Sequence, residues 1–235
     1  MQIHCSKLSI MKFILLVFFL ALPSFCSALE AQGFDFFYLV LEWPGSFCGA
    51  TQSCCYPNSG KPASDFLIHG LWPNNKDGSY PSNCDPNTPF DSSQISDLSS
   101  SMATEWPSLA CPSNNGESFW AHEWAKHGTC AESVLNEHDY FHAALSLKDK
   151  ANGILQMLSS SGIEPNDNSY SVNSIIEAIN GGIGYAAGIE CNQDESGSSQ
   201  LYQVYLCADT SASSFINCPV FPKGGCSGEI KFPSF

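Results

Sequence analysis

The residues best suited to chemistry are crowded into one short stretch, His122-Glu-Trp-Ala-Lys-His127, which holds two imidazoles, a carboxylate and an ammonium. Residues four apart are neighbours on a helix, so His122 would lie beside Lys126 and Glu123 beside His127. Imidazoles next to charged groups are the usual means of moving protons near neutral pH. The stretch therefore predicts an acid–base site on one helix.

A zinc site is the first alternative, because H-E-x-x-H on a helix is a signature of zinc proteases. The histidines of that signature are four residues apart, whereas His122 and His127 are five apart. Five residues turn a helix by about 500°, which leaves the two rings roughly 140° apart around its axis. The spacing excludes this zinc site, and we expect no metal and no cofactor. Two structural histidines on a half-buried helix remain the alternative for this segment alone.

A third histidine, His69, lies in the segment Ile68-His-Gly-Leu-Trp-Pro73. Its neighbours are apolar, as in a buried strand, and a lone histidine there is more often a satisfied core residue than a catalytic one. Gly70 allows another group to approach the backbone closely. The segment gains its significance from its pairing with the histidine-rich stretch farther along the chain.

Hydrophobic patterning predicts the elements that position these residues. Strands are expected at 34–43, 66–72 and 201–207, with 214–220 as a hairpin partner of the last. Helices are expected at 95–106, 118–127, 140–158 and 173–179. Pro73 should stop the second strand, Gly128 should be the C′ residue of the central helix, and Gly181-Gly182 should stop the last helix. The pattern indicates one α+β domain, with an antiparallel sheet core packed with several helices.

The N-terminal segment 1–28 is predicted to be a secretory signal peptide. Lys12 precedes an apolar run at 13–22, and small residues follow it. We place cleavage after Ala28, with Ala31 as the alternative, so the domain comprises 29–235. The run is too short to span a membrane. We expect a secreted protein, extracellular or vacuolar, without a membrane partner.

Cysteine number and charge narrow the class of protein. Ten cysteines follow the signal peptide, and an even number in a secreted chain predicts five disulfides. The formal charge is −14, and it becomes −16 when the signal peptide with Lys7 and Lys12 is removed, leaving seven basic and 23 acidic residues. There is no arginine. Because binding of polyanions through a broad basic surface is excluded, Lys126 with its histidines is the only candidate cluster for an anionic substrate.

The two histidine segments together resemble the active-site blocks of the ribonuclease T2 family: Ile68–Pro73 is one block and Phe119–Cys130 the other. The resemblance covers the whole chain after the signal peptide. It is strongest with plant S-like ribonucleases, which have a similar Phe-Asp-Phe-Phe-Tyr start, here at 34–38, and a similar Cys-Pro-x-Phe-Pro ending, here at 218–222. The resemblance implies a metal-independent endoribonuclease that cleaves single-stranded RNA.

The family's chemistry implies a role for each residue of the site. His127 is the base for the ribose 2′-OH and His69 the acid for the departing 5′-oxygen, since histidine titrates near working pH. His122 holds the phosphate, and Lys126 offsets charge on its oxygens. Glu123 holds the ring of His127. The products are 2′,3′-cyclic phosphates and then 3′-phosphates, DNA is inert because it lacks the 2′-OH, and the enzyme is a monomer.

The resemblance also implies base-binding sites and disulfide pairs. The first base site is lined by Trp72, Asn74 and Tyr80, with a core role as the alternative for Trp72. The second is lined by Glu42, Ser108, Leu109, Ala110 and Phe119. Many plant relatives have glutamine where Glu42 stands, so the inherited base specificity stays open and we expect a broad preference. The implied disulfides are Cys48–Cys54, Cys55–Cys111, Cys84–Cys130, Cys191–Cys226 and Cys207–Cys218.

Charge also bears on the pH dependence. Glu123 beside His127, in a chain with surplus negative charge, should raise the pKa values of the histidines, whereas desolvation would oppose this shift. We expect a bell-shaped rate profile with an optimum on the acid side of neutrality. A catalytically silent storage or defence protein is the alternative function, and the retention of His69, His122 and His127 favours the enzyme.

Overall fold

The architecture is described by a computed structural model, which covers residues 33–222 and 225–235. All of them belong to the unit Ala31–Phe235, and the predicted signal peptide at 1–28 lies outside the described residues. The strands are β1 (Phe36–Glu42), β2 (Leu67–Asn74), β3 (Ser169–Ser171), β4 (Gly188–Gln193), β5 (Ser199–Ala208), β6 (Phe215–Ile216) and β7 (Glu229–Lys231). The α-helices are α1 (Pro44–Cys48), α2 (Ser99–Glu105), α3 (Glu117–Lys126), α4 (Glu137–Lys150), α5 (Ile154–Ser160) and α6 (Val172–Ile183). Two 3₁₀ helices occupy Ser92–Ile95 and Gly128–Ala131.

The strands of the described residues form one sheet in the order β2-β1-β5-β7-β3, with β4 and β6 also paired to β5. The pairing is antiparallel except between β5 and β7. This is the α+β domain expected from the sequence. It retains the predicted strands at β1, β2 and β5 and the hairpin of β5 with β6, but the patterning gave no sign of the short strands β3, β4 and β7.

The interior strand β1 is buried on both faces, which explains its unbroken apolar run. Phe37, Leu39 and Leu41 enter a large core shared with residues of the helices. Phe36, Tyr38 and Val40 enter a smaller cluster on the other face. We call this second face the cleft face, because Trp72 packs there against the cluster.

A β-bulge in β2 decides which side chains reach the cleft face. Val40 of β1 pairs with Gly70, but the next residue, Leu41, pairs with Ile68, so His69 is an extra residue in β2. Two residues of a bulged strand oppose one on its partner, which breaks the alternation of faces. As a result Ile68 and Leu71 are both buried, although they are three residues apart, while His69 and Trp72 are both partly exposed.

Several predicted boundaries were wrong. Pro73 does not stop β2, which continues to Asn74, because β2 is an edge strand and a missing backbone N–H is tolerated there. The helix predicted at 140–158 is two helices, α4 and α5, broken before Gly153, which has φ +100°. Gly181-Gly182 does not end α6, which continues to Ile183 and is capped by Gly184 at φ +81°.

Gly128 has a different role from the one predicted. It follows α3, whose C-cap is His127, but it starts a 3₁₀ turn rather than adopting a left-handed C′ conformation. A Cβ at this position would lie 2.2 Å from the ring of Trp124. Close packing, not positive φ, is therefore the reason for glycine here.

Five disulfides stabilise the domain, and they are the five pairs that the resemblance implies: Cys48–Cys54, Cys55–Cys111, Cys84–Cys130, Cys191–Cys226 and Cys207–Cys218. The Cys84–Cys130 bond joins the loop after β2 to the turn after α3. The backbone N–H of Asn83 also donates to the carbonyl of Lys126 at 2.9 Å. This loop is therefore fastened beside the histidine-rich segment.

Candidate active site

Trp72 lies at the centre of the site that β2 and α3 form together. Its indole N–H donates to Glu123 Oε2 at 2.8 Å. The ring of His127 stacks on the indole with centroids 4.9 Å apart and planes at 21°, and His69 meets the indole edge-on at 5.2 Å. A Cβ on Gly70 would lie 2.2 Å from both Glu123 Oε2 and Trp72 Nε1, so glycine is required for this approach. The structure thus brings together on one indole the two histidines that come from distant segments.

We expected Glu123 to hold the ring of His127 directly, but its carboxylate binds another residue. Its carboxylate, in a residue only 2% exposed, binds the indole N–H of Trp72, and His127 is positioned by stacking on that indole. Burial raises the pKa of Glu123, although His69, the Trp72 hydrogen bond and Lys126 act in the opposite direction. Glu123 therefore acts on His127 through Trp72.

His127 is buried, and it is kept neutral. Burial, followed by the charges of Lys126, His69 and His122, lowers its pKa to about 3. Its Nδ1 atom is buried and has no hydrogen-bond partner among the residues that the structure describes. An imidazole in this state has a free lone pair throughout the physiological pH range and can accept a proton.

His69 is shifted in the opposite direction. Burial lowers its pKa, but the hydrogen bond to Glu42 and the negative charges of Glu42 and Glu123 outweigh burial, so the net effect is to raise it. The carboxylate Oε2 of Glu42 lies 3.1 Å from His69 Nδ1. The two histidines beside Trp72 therefore differ in protonation state, one neutral and one favouring the cation.

The expectation that negative charge raises the pKa of all these histidines was wrong for two of them. His122 is exposed on α3, and burial, Lys126 and His69 lower its pKa. For His127 desolvation is the largest effect. Glu123 is bound to Trp72, and the largest charge effect on the pKa of both α3 histidines comes from the ammonium of Lys126, which disfavours a second cation.

A cavity of about 340 Å³ opens beside these histidines. Its lining includes the three residues expected at the first base site, Trp72, Asn74 and Tyr80, together with Lys126 and His127. Tyr80 is 59% exposed and Asn74 is buried. The cavity thus unites the residues expected at the first base site with His127 and Lys126.

The opposite wall of the cavity was missed by the sequence analysis. It is formed by Tyr38, Tyr205 and the segment 220–222. The hydroxyl of Tyr38 donates to the carbonyl of Val220 at 2.5 Å, and the Cys207–Cys218 disulfide fastens the same segment to β5. The inward alternation of β1 and β5 could have indicated the tyrosines, but the placement of the C-terminal segment depends on tertiary packing.

The residues expected at the second base site are divided among different surroundings. The ring of Phe119 lies 5.7 Å from that of His69, next to the reactive groups. Ser108, Leu109 and Ala110 belong to a loop outside the cavity, where the carbonyl of Leu109 accepts a hydrogen bond from the Cys55 backbone and Ala110 forms a β-bridge with Cys54. Glu42 contacts His69 instead of lining the cavity.

Within residues 33–222 and 225–235, no three His, Cys, Asp or Glu side chains are grouped as metal ligands. No helix in this part of the chain combines the length and the apolar character that crossing a bilayer requires.

Comparison with known proteins supports the resemblance. Residues 34–218 match the Ribonuclease T2 family. "Extracellular ribonuclease LE" of Solanum lycopersicum is 61% identical over 87% of this chain and 89% of that protein. "Intracellular ribonuclease LX" of the same plant is 58% identical over 87% of this chain and 86% of that protein. The crystal structure of RNase NT in complex with 5'-AMP is 52% identical, with a TM-score of 0.83, and covers 87% of this chain and 100% of that one.

Proposed function

The chain belongs to the ribonuclease T2 family, and on that premise we propose that it is a metal-independent endoribonuclease that cleaves single-stranded RNA by transphosphorylation. RNA-cleaving activity follows from the family and from the named ribonucleases that the chain resembles. The reaction path, the role of each residue and the base preference are our proposal. One observation carries the proposal: the neutral His127 stacks on the Trp72 indole, and His69, which favours the cation, meets the same indole edge-on.

In the first step, His127 takes the proton of the ribose 2′-OH, and the 2′-oxygen attacks phosphorus. The bond from phosphorus to the 5′-oxygen breaks, and His69 gives that oxygen its proton. The products are a 2′,3′-cyclic phosphate and a 5′-OH. The second step reverses the two roles. His69, now neutral, takes a proton from water, and the water oxygen attacks phosphorus. The bond from phosphorus to the 2′-oxygen breaks, and His127 gives that oxygen its proton, which leaves a 3′-phosphate and a free 2′-OH.

Lys126 and His122 act on the phosphate, one through its charge and the other through a hydrogen bond. Lys126 lies at the end of α3 and lines the cavity, where its ammonium can neutralise charge on the non-bridging oxygens. His122, one helical turn before it, donates a hydrogen bond to the phosphate. DNA has no 2′-OH to attack phosphorus and therefore remains intact.

The cavity is the proposed site for the base on the 5′ side of the scissile bond. Trp72 and Tyr80 supply aromatic surface, and Asn74 supplies an amide. The aromatic surface accepts any base, which is the basis for the broad preference. RNase NT is described in complex with 5'-AMP, which agrees with a nucleotide site in this fold.

For location and assembly, we propose a secreted monomer, extracellular or vacuolar, with 1–28 removed as a signal peptide. Five disulfides are typical of proteins that mature in an oxidising compartment. The two tomato relatives are named extracellular and intracellular, so both destinations occur among similar proteins.

The decisive experiment is an assay of the purified protein on single-stranded RNA with chelator present, followed by analysis of the product ends. We expect cyclic phosphates that convert slowly to 3′-phosphates, and no cleavage of single-stranded DNA. His69→Ala and His127→Ala should each reduce turnover roughly 10²–10⁴-fold, the usual contribution of a positioned acid or base. An inactive wild-type protein would favour the storage or defence role instead. Activity of either variant within a few-fold of wild type would overturn the assigned roles.

A further inference from the structure

Glu42 lies in a position that a base-binding residue would not need. Its side chain is only 11% exposed, at the end of the interior strand β1, and its Oε2 atom lies 3.1 Å from His69 Nδ1. The bulge in β2 turns His69 toward the cleft face, next to the neighbouring strand that carries Glu42. The contact is therefore set by backbone pairing between two adjacent strands, not by a mobile loop.

A chain of hydrogen bonds continues from this contact across β5. Gln203 Nε2 lies 2.7 Å from His69 Nδ1, and Gln203 Oε1 lies 2.9 Å from the Tyr205 hydroxyl. That hydroxyl is also 2.6 Å from Glu190 Oε2, but it has only one proton to donate. Gln203 Nε2 also lies 3.5 Å from Glu42 Oε2, so in this orientation the amide faces both Glu42 and His69. When the Tyr205 proton goes to Glu190, a half-turn of the Gln203 amide lets its nitrogen donate to Tyr205 and its oxygen accept from His69. A proton on His69 Nδ1 then satisfies Glu42 and Gln203 together.

We propose that Glu42 is a positioning residue for His69: its carboxylate fixes a proton on Nδ1, stabilises the imidazolium and leaves Nε2 to protonate the departing 5′-oxygen. This inference rests on the assignment of His69 as the acid of the proposed reaction. It replaces the role in base binding that the family resemblance implied for Glu42.

The other charges around His69 are less able to serve this purpose. On α3 the groups that act on it or respond to it are Glu123, Lys126, His122 and His127. Lys126 opposes the cation, and the two α3 histidines have lowered pKa values. The carboxylate of Glu123 is engaged by the Trp72 indole, and burial raises its pKa. Glu42 is thus the principal counter-charge, and it also makes the direct hydrogen bond.

The inference also resolves a conflict of charge. A free carboxylate beside the reacting phosphate would repel the substrate, because both groups are negative. Paired with the His69 imidazolium, the carboxylate is neutralised while the proton on Nε2 remains available. After the proton has left, Glu42 favours reprotonation of the ring for the next turnover.

The test is Glu42→Gln, which keeps the size and an acceptor oxygen but removes the charge. NMR titration should show that the pKa of His69 falls, and the alkaline limb of the kcat/KM profile should move to lower pH by the same amount. At pH values above that limb kcat/KM should fall at least about tenfold, and at pH values below it only a few-fold. An opposite charge at this distance has effects of that size on the protonation of a group. Glu229→Gln is the matched control, because it removes an exposed carboxylate of the same sheet, on β7, and should leave the pKa of His69 unchanged.

A measurement on the wild-type protein covers the case in which the variant does not fold. Nitrogen chemical shifts should show that neutral His69 carries its proton on Nδ1. A proton on Nε2, an unchanged pKa of His69 in Glu42→Gln, or an unmoved alkaline limb would each overturn the inference. So would a change confined to KM that depends on the base 3′ of the scissile bond. Both NMR readouts are independent of catalysis, whereas the proposed function fails if wild-type protein does not cleave RNA.

Discussion

Replacing Trp72 by phenylalanine should destabilise the domain in a way that depends on pH. The substitution keeps an aromatic ring but removes the indole N–H that donates to Glu123 Oε2 at 2.8 Å. Glu123 is 2% exposed, so water cannot replace the lost donor without opening the structure. The substitution therefore removes the hydrogen-bond donor of a buried carboxyl group, and the charge state of that group is set by pH.

The size of the effect follows from the two charge states of Glu123. A hydrogen bond to a charged group contributes about 1.5–3 kcal/mol, and one between neutral groups about 0.5–1.5 kcal/mol. The lost bond should thus reduce the free energy of unfolding by about 1–1.5 kcal/mol more where Glu123 is ionised than where it is protonated. Burial raises the folded-state pKa of Glu123 above that of the unfolded chain, so its protonation favours the folded state. The stability that the raised pKa of Glu123 contributes is complete at acid pH and is lost as pH rises through the folded-state pKa. Removal of the Trp72 indole N–H enlarges that loss.

Urea denaturation of wild type and Trp72→Phe at a series of pH values upward from pH 4 measures the difference. For a domain of this size the additional loss above the folded-state pKa of Glu123 corresponds to roughly 2–6 °C in Tm. Trp120→Phe is the matched control, because the Trp120 indole donates to the neutral backbone carbonyl of Trp106 at 2.8 Å. Its loss should be the same at every pH of the series. The reasoning is refuted if Trp72→Phe loses the same stability across the series, or more at the acid end.

Three further predictions concern single residues. In an NMR titration His127 should stay neutral down to about pH 4, with a pKa of about 3, and a transition near pH 6.5 would contradict its burial. Lys148→Met should reduce the free energy of unfolding, measured by urea denaturation at pH 7, by about 1–2 kcal/mol. This is less than for a fully buried ion pair, because the two carboxylate partners of Lys148, at 3.1 and 3.7 Å, are partly exposed. An unchanged free energy of unfolding would contradict the prediction. Gly128→Ala should lower the free energy of unfolding by about 1–3 kcal/mol, because the added Cβ would meet the Trp124 ring. Gly181→Ala, at a position on α6 with open space, should leave stability unchanged or raise it. Equal effects of the two substitutions would show that packing does not explain the glycine at position 128.

Much of this fold could be predicted from the sequence, because the strongest signals are local. The apolar run of β1 and the alternation of β5 gave their strands, and the spacing of His122, Lys126 and His127 gave the central helix. The family blocks brought His69 into the same site. These features depend on residue types and short spacings, which a sequence displays directly.

What escaped prediction depends on contacts between distant segments. The bulge at His69 is a matter of how β2 pairs with β1, and the apolar pattern of 66–72 is compatible with either register. The pairing of Glu42 with His69 depends on that bulge. The lowered pKa of His127 depends on burial beneath neighbouring elements, which in this site is a larger effect than the charges visible in the sequence.

The bulge also changes how a related sequence should be judged for activity. Two residues lie between Ile68 and Leu71 in β2, whereas only one residue of β1 lies opposite them. The number of residues in this segment is therefore part of the catalytic geometry. A one-codon insertion or deletion between His69 and Trp72 would leave every histidine in place and still separate the acid from the indole that aligns it with His127. A homologue can therefore lose catalysis without losing a single reactive side chain. Spacing in this segment is as necessary a criterion for an active enzyme as the three histidines themselves.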